Sequence, residues 1–307
     1  MSTRSDWTGT TPVTPSLLRD WPLPAPGEDK YSRGAVVVIG GARATPGAAL
    51  LAGTAALRAG AGKITLAVAE SVAAHIGVAL PECGALGLPE NAAGSLTGNG
   101  LELISSYLDR ADTILVGPGL DDPELTGELL RALLEREEHD GGPHSQGGPA
   151  VVIDAYALGA LVPLEEQLGP WRGRMILTPN PTEAGILLGR DVRDLEADVA
   201  EVAKRFDAVV SCQGVISLPS GNAPEDSGLW KITTGYGGLG TSGSGDVLAG
   251  AIAGLRARGT SDAQAACWGT HLHAAAADRL ASKLGPLGFL ARELADQLPA
   301  LMVELNT

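Results

Sequence analysis

The stretch that most constrains this chain is residues 240–250, a glycine-rich segment that runs into an apolar sequence. Gly240, Gly243 and Gly245 precede Asp246, and small or apolar residues follow at helical spacing. This pattern predicts a sharply turning loop that continues directly into a helix. The unpaired N–H groups and the dipole at such a helix start bind anions, most often phosphate. The segment therefore predicts a phosphate site with Asp246 beside it.

A glycine-rich loop alone would equally fit a turn with an acidic helix cap, so other nucleotide-binding patterns were compared with the sequence. Residues 62–64 read Gly-Lys-Ile and lack the Ser or Thr and the spacing of a Walker loop. Gly238, Gly240 and Gly243 match the spacing of a dinucleotide fingerprint. The fingerprint also needs an acidic residue at the end of a second strand, and Asp262 lies at a plausible distance. However, residues 247–259 are typical of one helix and a turn, so no second strand carries Asp262. We discount the dinucleotide interpretation.

Composition narrows the classes of protein. The chain has 307 residues, 44% hydrophobic residues and 42 glycines, which suits a deep core with close helix-on-sheet packing. A net charge of −14 argues against nucleic acid or an anionic membrane as a partner. No apolar run reaches membrane length, and residues 1–26 lack a signal core, so we expect a cytoplasmic protein. Cys83, Cys212 and Cys267 have no paired-ligand spacing and are expected to be reduced thiols.

Short β-branched runs alternate with helical patterns along the chain. Strands are predicted at residues 35–39, 64–68, 114–116, 151–153, 175–177, 208–211, 215–218 and 229–232. Helices are predicted at residues 48–59 and 123–138, before residue 188, and three times between residues 246 and 304. The alternation predicts an α/β fold in three layers, α/β/α, with a mostly parallel central sheet.

Two further expectations concern domains and loops. We expect residues 1–33 to form an N-terminal tail on the surface or against a neighbouring subunit. Residues 34–307 are then a single domain, and residues 139–148 an exposed loop.

Several predicted strands end in Gly, Asp or Pro-Asn loops. The strand ends at Gly40, Gly117, Asp154 and Thr178 are expected to open on the same edge of the sheet as Gly243, because ligands bind at the carboxyl ends of parallel strands. No metal site is predicted. The two histidines of the last third of the chain, at positions 271 and 273, are two residues apart on a predicted helix and face different ways.

Together these motifs resemble the NAD(P)H-hydrate dehydratases of the ribokinase-like superfamily. The resemblance covers roughly residues 34–305. Its motifs are Gly40-Gly41, Pro46-Gly-Ala48, Leu57-Arg-Ala-Gly-Ala-Gly62, Val116-Gly-Pro-Gly-Leu120, Val152-Ile-Asp-Ala155, Leu177-Thr-Pro-Asn-Pro-Thr-Glu183 and the segment 240–250. The Gly-Ser-Gly-Asp loop alone marks only the superfamily, whereas the combination is more specific.

The resemblance implies an enzyme that uses ADP or ATP, with Mg²⁺, to remove water from hydrated NADH or NADPH in nicotinamide nucleotide repair. The nucleotide phosphorylates the ring hydroxyl, and phosphate then leaves. Asp246 is implied as the catalytic base, with an anion hole at Gly243, Ser244 and Gly245. The implied substrate-binding residues are Ala48, Gly119, Asn180 and Asp246, and the implied nucleotide-binding residues are Gln213, Gly214, Val215, Ile216, Ser217 and Gly245. We expect a homo-oligomer, for which a tetramer is one allowed size.

Three positions depart from the family pattern. Asn180 stands where the family usually has His, Gln213 where it has Lys, and Tyr156 where it has the second Asp of Asp-Ala-Asp. Loss of a lysine near a polyphosphate removes a charge contact that Gln does not replace. Two alternatives stay open. One is a small-molecule kinase of the same fold, of the hydroxyethylthiazole, vitamin or sugar type. The other is a non-catalytic nucleotide-binding protein.

Overall fold

The apolar runs of the sequence form the interior of one ten-stranded sheet. The computed structural model describes residues 9–25, 27–140, 148–219, 228–235 and 237–306. Within these residues the strands are β1 (Thr11–Val13), β2 (Ala35–Ile39), β3 (Lys63–Ala69), β4 (Gly84–Leu88), β5 (Thr113–Val116), β6 (Ala150–Ile153), β7 (Met175–Leu177), β8 (Ala208–Cys212), β9 (Val215–Ser217) and β10 (Leu229–Ile232). Their order across the sheet is β1-β10-β9-β8-β7-β6-β5-β2-β3-β4.

The sheet is mostly parallel, as predicted. Only β9 runs against its neighbours β8 and β10. The apolar runs follow from burial on both faces: Val36 and Val38 of β2 face one apolar cluster, whereas Val37 and Ile39 face the other. Because side chains alternate along a strand, a strand covered on both sides has to be apolar at every position.

Helices cover both faces of the sheet and complete the three layers. They are α1 (Pro15–Asp20), α2 (Pro46–Arg58), α3 (Glu70–Ala79), α4 (Ser105–Leu108), α5 (Pro123–Asp140), α6 (Tyr156–Leu161), α7 (Pro181–Leu188), α8 (Leu195–Phe206), α9 (Ser244–Ala257), α10 (Asp262–Leu284) and α11 (Ala291–Asn306). Short 3₁₀ helices lie at Leu101–Ile104, Val162–Gln167 and Gly169–Trp171. Buried residues of α2, α9, α10 and α11 share the apolar cluster on one face, and those of α5 to α8 share the cluster on the other.

The prediction of a tail over residues 1–33 is wrong, because part of this segment belongs to the sheet and the core. β1 pairs in parallel with β10, with Thr11 opposite Trp230. Leu18 of α1 is fully buried, and the indole N–H of Trp268 donates to the carbonyl oxygen of Trp21 at 2.9 Å. Residues before position 34 therefore complete one edge of the sheet and part of the core. A three-residue strand that contains a proline is too short to give a clear sequence pattern.

Other differences from the sequence-based prediction are smaller. The predicted strands are all present, and the three C-terminal helices are α9, α10 and α11. The helices α1, α3, α4, α6 and α8 and the strands β1 and β4 were not predicted. Of the predicted loop at residues 139–148, the first two residues belong to α5, and residues 141–147 lie outside the described residues.

The strand order changes direction between β2 and β5. From β2 the chain proceeds outward to β3 and β4, whereas β5 lies on the other side of β2 and leads to β6, β7 and β8. Ligands of open parallel sheets bind at such a switch point, beside the carboxyl ends of the strands. The loops after β2 and β5 are joined there, because the N–H of Gly41 donates to the carbonyl oxygen of Pro118 at 2.8 Å. A Cβ at Gly243 would lie 2.5 Å from Leu51 of α2, which confirms that this loop meets the same edge.

The helices α2 and α9 approach each other through glycines. A Cβ added at Gly250 would lie 2.1 Å from the carbonyl oxygen of Ala52, and one added at Gly254 would lie 2.4 Å from that of Ala56. Real side chains do not approach backbone atoms this closely, so only glycine permits the contact. The spacing of four residues puts both glycines on one side of α9.

We expect Gly250→Ala to destabilise the protein by on the order of 3 kcal/mol, because the methyl group forces two backbones apart. Gly127→Ala is the matched control. Gly127 lies inside α5, and a Cβ there would meet no atom within 4 Å. Helix propensity alone should then raise the free energy of unfolding by about 0.5–1 kcal/mol. Urea unfolding of both variants measures the difference, and equal stabilities would contradict the close approach.

Candidate active site

The loops after β2 and β5 form the floor of the site. The N–H of Ala42 donates to the carbonyl oxygen of Gly119 at 2.8 Å, and the Thr45 hydroxyl donates to the same oxygen at 2.8 Å. Gly119 has φ +74°, and a Cβ there would lie 3.0 Å from the Cβ of Ala48 in the first turn of α2. The structure thus brings together Ala48 and Gly119, two of the predicted substrate-binding residues, at the switch point.

The loop into α9 supplies free donors. Gly243 caps the helix with φ +84°, and no side chain caps this end. In the described part of the chain, the N–H groups of Gly243, Gly245 and Asp246 have no hydrogen-bond acceptor. The N–H of Ser244 donates to the carbonyl oxygen of Thr241 at 3.2 Å, so Asp246 rather than Ser244 provides the third free N–H. This cluster of donors, with the helix dipole, suits an anion.

Asp246 lies in the first turn of α9 and is partly exposed. Burial raises the pKa of its carboxyl group from the usual 3.8 to about 6. A carboxylate with this pKa is ionised at neutral pH and is more basic than an exposed aspartate. It is therefore suited to accept a proton from a bound hydroxyl group.

Asp154, at the end of β6, is a buried carboxyl group that the sequence marked only as a strand end. It is 5% exposed and accepts a hydrogen bond from the Thr178 hydroxyl at 2.8 Å. Burial raises its pKa to about 7; the bond from Thr178 opposes this rise, and the charges of Asp246 and Glu183 add to it. The next residue, Ala155, has φ +51°, a backbone conformation that is strained for a residue with a side chain.

Asn180 begins α7 at the same edge. Its side-chain oxygen accepts from the N–H of Glu183 at 2.9 Å, and the Glu183 carboxylate accepts from the N–H of Asn180 at 2.8 Å. This capping box fixes the start of the helix. The Asn180 side chain is exposed, and its NH₂ group has no acceptor among the described residues. Burial raises the pKa of Glu183, which the sequence-based prediction did not include.

Five of the six predicted nucleotide-binding residues, at positions 213–217, form the turn and the second strand of the β8–β9 hairpin, whereas Gly245 lies in α9. Gln213 (φ +45°) and Gly214 (φ +81°) are the two turn residues of the hairpin, as in a type I′ turn. Gln213 is exposed, whereas Val215, Ile216 and Ser217 are buried in β9. Of these five residues, only Gln213 therefore presents a side chain to a ligand. The position of the turn beside α7 is indicated by Cys212, whose pKa is raised to about 12 by burial and by the charge of Glu183.

A cavity that reaches Glu183 is lined by more acidic than basic side chains. The cavity has a volume of about 750 Å³ and lies between α5, α6 and α7, and Tyr156, 51% exposed, lines it. Its charged lining residues are Glu124, Glu128, Arg131 and Glu183. Three carboxylates against one guanidinium disfavour a phosphate there. No described residue of α9 or of the loop before it lines this cavity.

Two classes of feature are missing from the part of the chain that the structure describes. No group of three or more His, Cys, Asp or Glu side chains lies close enough to hold a metal ion. No described helix is both long and apolar enough to cross a membrane.

Comparisons with known proteins agree on one family. Residues 36–300 match the sequence model of a family described as NAD(P)H-hydrate dehydratase. The chain is 41% identical over 298 residues to the ADP-dependent (S)-NAD(P)H-hydrate dehydratase of Xanthomonas campestris, which covers 95% of this chain and 96% of that protein. It is 36% identical over 280 residues to a bifunctional NAD(P)H-hydrate repair enzyme of Moorella thermoacetica. That match covers 89% of this chain but 50% of the relative.

A solved structure gives the same result. The ADP/ATP-dependent NAD(P)H-hydrate dehydratase of Bacillus subtilis, co-crystallised with ATP and Mg²⁺, superposes with a TM-score of 0.72. The two proteins are 26% identical, and the match covers 96% of this chain and 99% of the other.

We expect Asp154→Asn to stabilise the protein at alkaline pH. The pKa of Asp154 is about 7 in the folded state and near 3.8 when unfolded, so its ionisation opposes folding. This effect is absent below about pH 4, grows as pH rises and is complete above about pH 7, with an upper limit on the order of 4 kcal/mol. Asn keeps an oxygen that can accept from Thr178. Urea unfolding at pH 5 and pH 8 measures the difference.

Asp198→Asn is a control of opposite sign. Hydrogen bonds from Arg190 and from backbone N–H groups lower the pKa of Asp198 to about 2, so its ionised form supports folding. The variant should lose stability at both pH values. If Asp154→Asn is no more stable than the parent protein at pH 8, the buried carboxyl group does not oppose folding.

Proposed function

This chain belongs to the NAD(P)H-hydrate dehydratase family, and we propose that it removes water from hydrated NADH and NADPH with an adenine nucleotide as phosphoryl donor. One observation of the site carries the proposal. Three unpaired N–H groups at the start of α9 lie directly beside the partly buried carboxylate of Asp246. An anion-binding loop next to a base is what phosphoryl transfer to a hydroxyl group requires.

The reaction has two stages. In the first stage, Asp246 takes the proton of the ring hydroxyl while the hydroxyl oxygen attacks the terminal phosphorus of the nucleotide. The bond from this phosphorus to the rest of the nucleotide breaks, and AMP leaves when the donor is ADP, or ADP when the donor is ATP. In the second, the C–O bond breaks and phosphate leaves. A proton is lost from the neighbouring ring carbon, so that the double bond returns and the elements of water are removed overall.

The chain's own residues supply positions and charges for the first stage. The N–H groups of Gly243, Gly245 and Asp246 would bind the oxygens of the transferring phosphoryl group, where negative charge is concentrated. Ala48 and Gly119 leave room at the switch point for the nicotinamide ring, since neither has a side chain beyond Cβ. The free NH₂ group of Asn180 is a donor to the hydrate, in place of the family's usual histidine.

The nucleotide lies, in this proposal, along the hairpin turn at Gln213 and Gly214 and reaches the N–H of Gly245. Gly245 is exposed, and a Cβ added there would meet nothing within 4 Å, so phosphate oxygens can approach its backbone. Val215, Ile216 and Ser217 support this turn from within β9, because their side chains are buried.

Mg²⁺ fits the acidic character of the site. Burial and, to a smaller extent, the charges of Asp246 and Glu183 raise the pKa of Asp154, so negative charge surrounds this carboxyl group. Mg²⁺ is commonly held by one or two carboxylates together with substrate phosphates rather than by a complete protein cage. The described residues offer no group of three such ligands, so Asp154 and Glu183 would hold it only together with the phosphates of the nucleotide. When bound, it would neutralise charge on the phosphates.

The proposal also specifies the substrate epimer and the nucleotide. The hydrate is the S epimer, and ADP is the nucleotide, as in the name of the Xanthomonas campestris relative. We also propose a cytoplasmic homo-oligomer.

We expect Asp246→Asn to abolish turnover but to leave folding and nucleotide binding nearly unchanged. Asn has the shape of Asp but accepts no proton, so kcat should fall by roughly 10²–10⁴-fold. The assay follows the return of reduced-nicotinamide absorbance from hydrated NADPH with ADP or ATP. In the parent enzyme kcat should fall below about pH 6, where Asp246 becomes protonated. Near-normal turnover by the variant would make Asp246 only a helix residue.

We expect Gln213→Lys to tighten ADP and ATP binding by about tenfold, since a charged donor contributes roughly 1.4 kcal/mol more to a phosphate contact than a neutral one. The gain should shrink as salt rises, because the side chain is exposed. Gln213→Met has similar length without charge and is the control. Calorimetric titration at two salt concentrations measures both. An unchanged dissociation constant for Gln213→Lys would place the nucleotide away from this turn.

A further inference from the structure

The first residue of α9 is held by a buried hydrogen bond from a distant helix. The hydroxyl oxygen of Ser244 lies 2.9 Å from Nε2 of His273, which belongs to α10. Both residues are 5% exposed. Ser244 stands between Gly243 and Gly245, so this bond acts at the centre of the segment that carries the free N–H groups.

The same helix also holds the loop that follows β10. The carboxylate of Asp278 in α10 accepts from the N–H of Gly235 at 2.8 Å and from the hydroxyl of Thr234. This loop starts beside the hairpin turn, because the N–H of Ile232 donates to the carbonyl oxygen of Gly214 at 2.7 Å. One long helix thus contacts both the anion-binding segment and the side of the site assigned to the nucleotide.

The Ser244 side chain has no other role in the described geometry. The hydroxyl group is buried, so it is not placed as a nucleophile. Among the described residues, its hydrogen-bond partner is the imidazole of His273. Burial lowers the pKa of His273 to about 4, so the ring is neutral near pH 7 and adds no charge to the site. What the pair supplies is therefore orientation.

We propose that His273 is a positioning residue: through Ser244 it holds the N–H groups of Gly243, Gly245 and Asp246 in the arrangement that binds the transferring phosphoryl group. The assignment of that group rests on the proposed function. Without the bond, the glycines on either side of Ser244 allow the segment many conformations. Donors that must converge on one anion lose effect when they are displaced by as little as about 1 Å.

His271 provides a matched control on the same helix. It is 4% exposed, its pKa is also lowered to about 4 by burial, and its Nδ1 has no hydrogen-bond partner among the described residues. Replacement of His271 by Leu removes a buried imidazole without breaking a bond to the anion-binding segment. Any effect on turnover that is specific to His273→Leu therefore reports on Ser244.

The test compares His273→Leu, His273→Gln, Ser244→Ala and the double variant Ser244→Ala/His273→Leu with His271→Leu. Three quantities are measured for each protein: kcat and KM with hydrated NADPH and ADP, the dissociation constant of ADP by calorimetry, and the free energy of unfolding in urea. We expect His273→Leu and Ser244→Ala to lower kcat by a similar factor, about 10–100-fold, with KM for the hydrate unchanged. The double variant should lose no more than the worse single variant.

His273→Gln should keep most of the activity, since an amide can hydrogen-bond to a hydroxyl group, and His271→Leu should keep all of it. If His273→Leu fails to fold, Ser244→Ala still tests the bond from its smaller partner. Equal kcat for His271→Leu and His273→Leu, or multiplicative losses in the double variant, would overturn the proposal. Absence of turnover in the parent protein would instead refute the proposed function. The affinity for ADP then decides between the outcomes. A loss of affinity confined to the Ser244 and His273 variants supports the positioning role, and unchanged affinity overturns it.

Discussion

The contact between the backbones of α2 and α9 is the constraint on which the site depends. Gly250 and Gly254 let α9 lie directly against Ala52 and Ala56 of α2. Both helices begin at the carboxyl edge of the sheet, so their N-terminal ends converge beside the switch point. Each helix start carries a partial positive charge and unpaired N–H groups. Close packing in the core is therefore also what concentrates positive potential at the place where phosphate binds.

Acidic groups lie close to this positive potential, and their burial opposes folding. Asp154 is buried at the end of β6, and its pKa rises because water is excluded and because Asp246 and Glu183 are near. Elsewhere acidic residues are paired, as Glu165 is with Arg205 at 2.6 Å. In the site Asp154 is hydrogen-bonded to the Thr178 hydroxyl and to the backbone of Ala155, and no cationic side chain among the described residues pairs with it. Proteins tolerate such unfavourable charge where a ligand or its cation relieves it.

Much of the fold followed from local sequence, and much of the site did not. The run at residues 35–39 predicted a strand because both faces of it are buried. The glycines before Asp246 predicted a loop, and Gly243 there adopts a positive φ. The bond between Ser244 and His273 joins positions 29 residues apart, so no local pattern reveals it. The raised pKa of Asp154 depends on neighbours from two other elements. The hydrophobic pattern of a sequence indicates which segments are buried and where the chain turns, but it does not indicate which polar side chains contact each other.

β1 has a consequence beyond the site. Without it, β10 would present an unpaired row of N–H and C=O groups along Leu229–Ile232, and such an exposed edge is a template for intermolecular pairing. β1 covers this edge with three residues, the middle of which is Pro12, a residue with no N–H to offer a further strand. The stacked rings of Trp21 and Trp230, 6.4 Å apart, fasten the segment in place. β1 and the segment after it thus affect solubility as well as the fold: they terminate the sheet and keep separate molecules from joining edge to edge into aggregates.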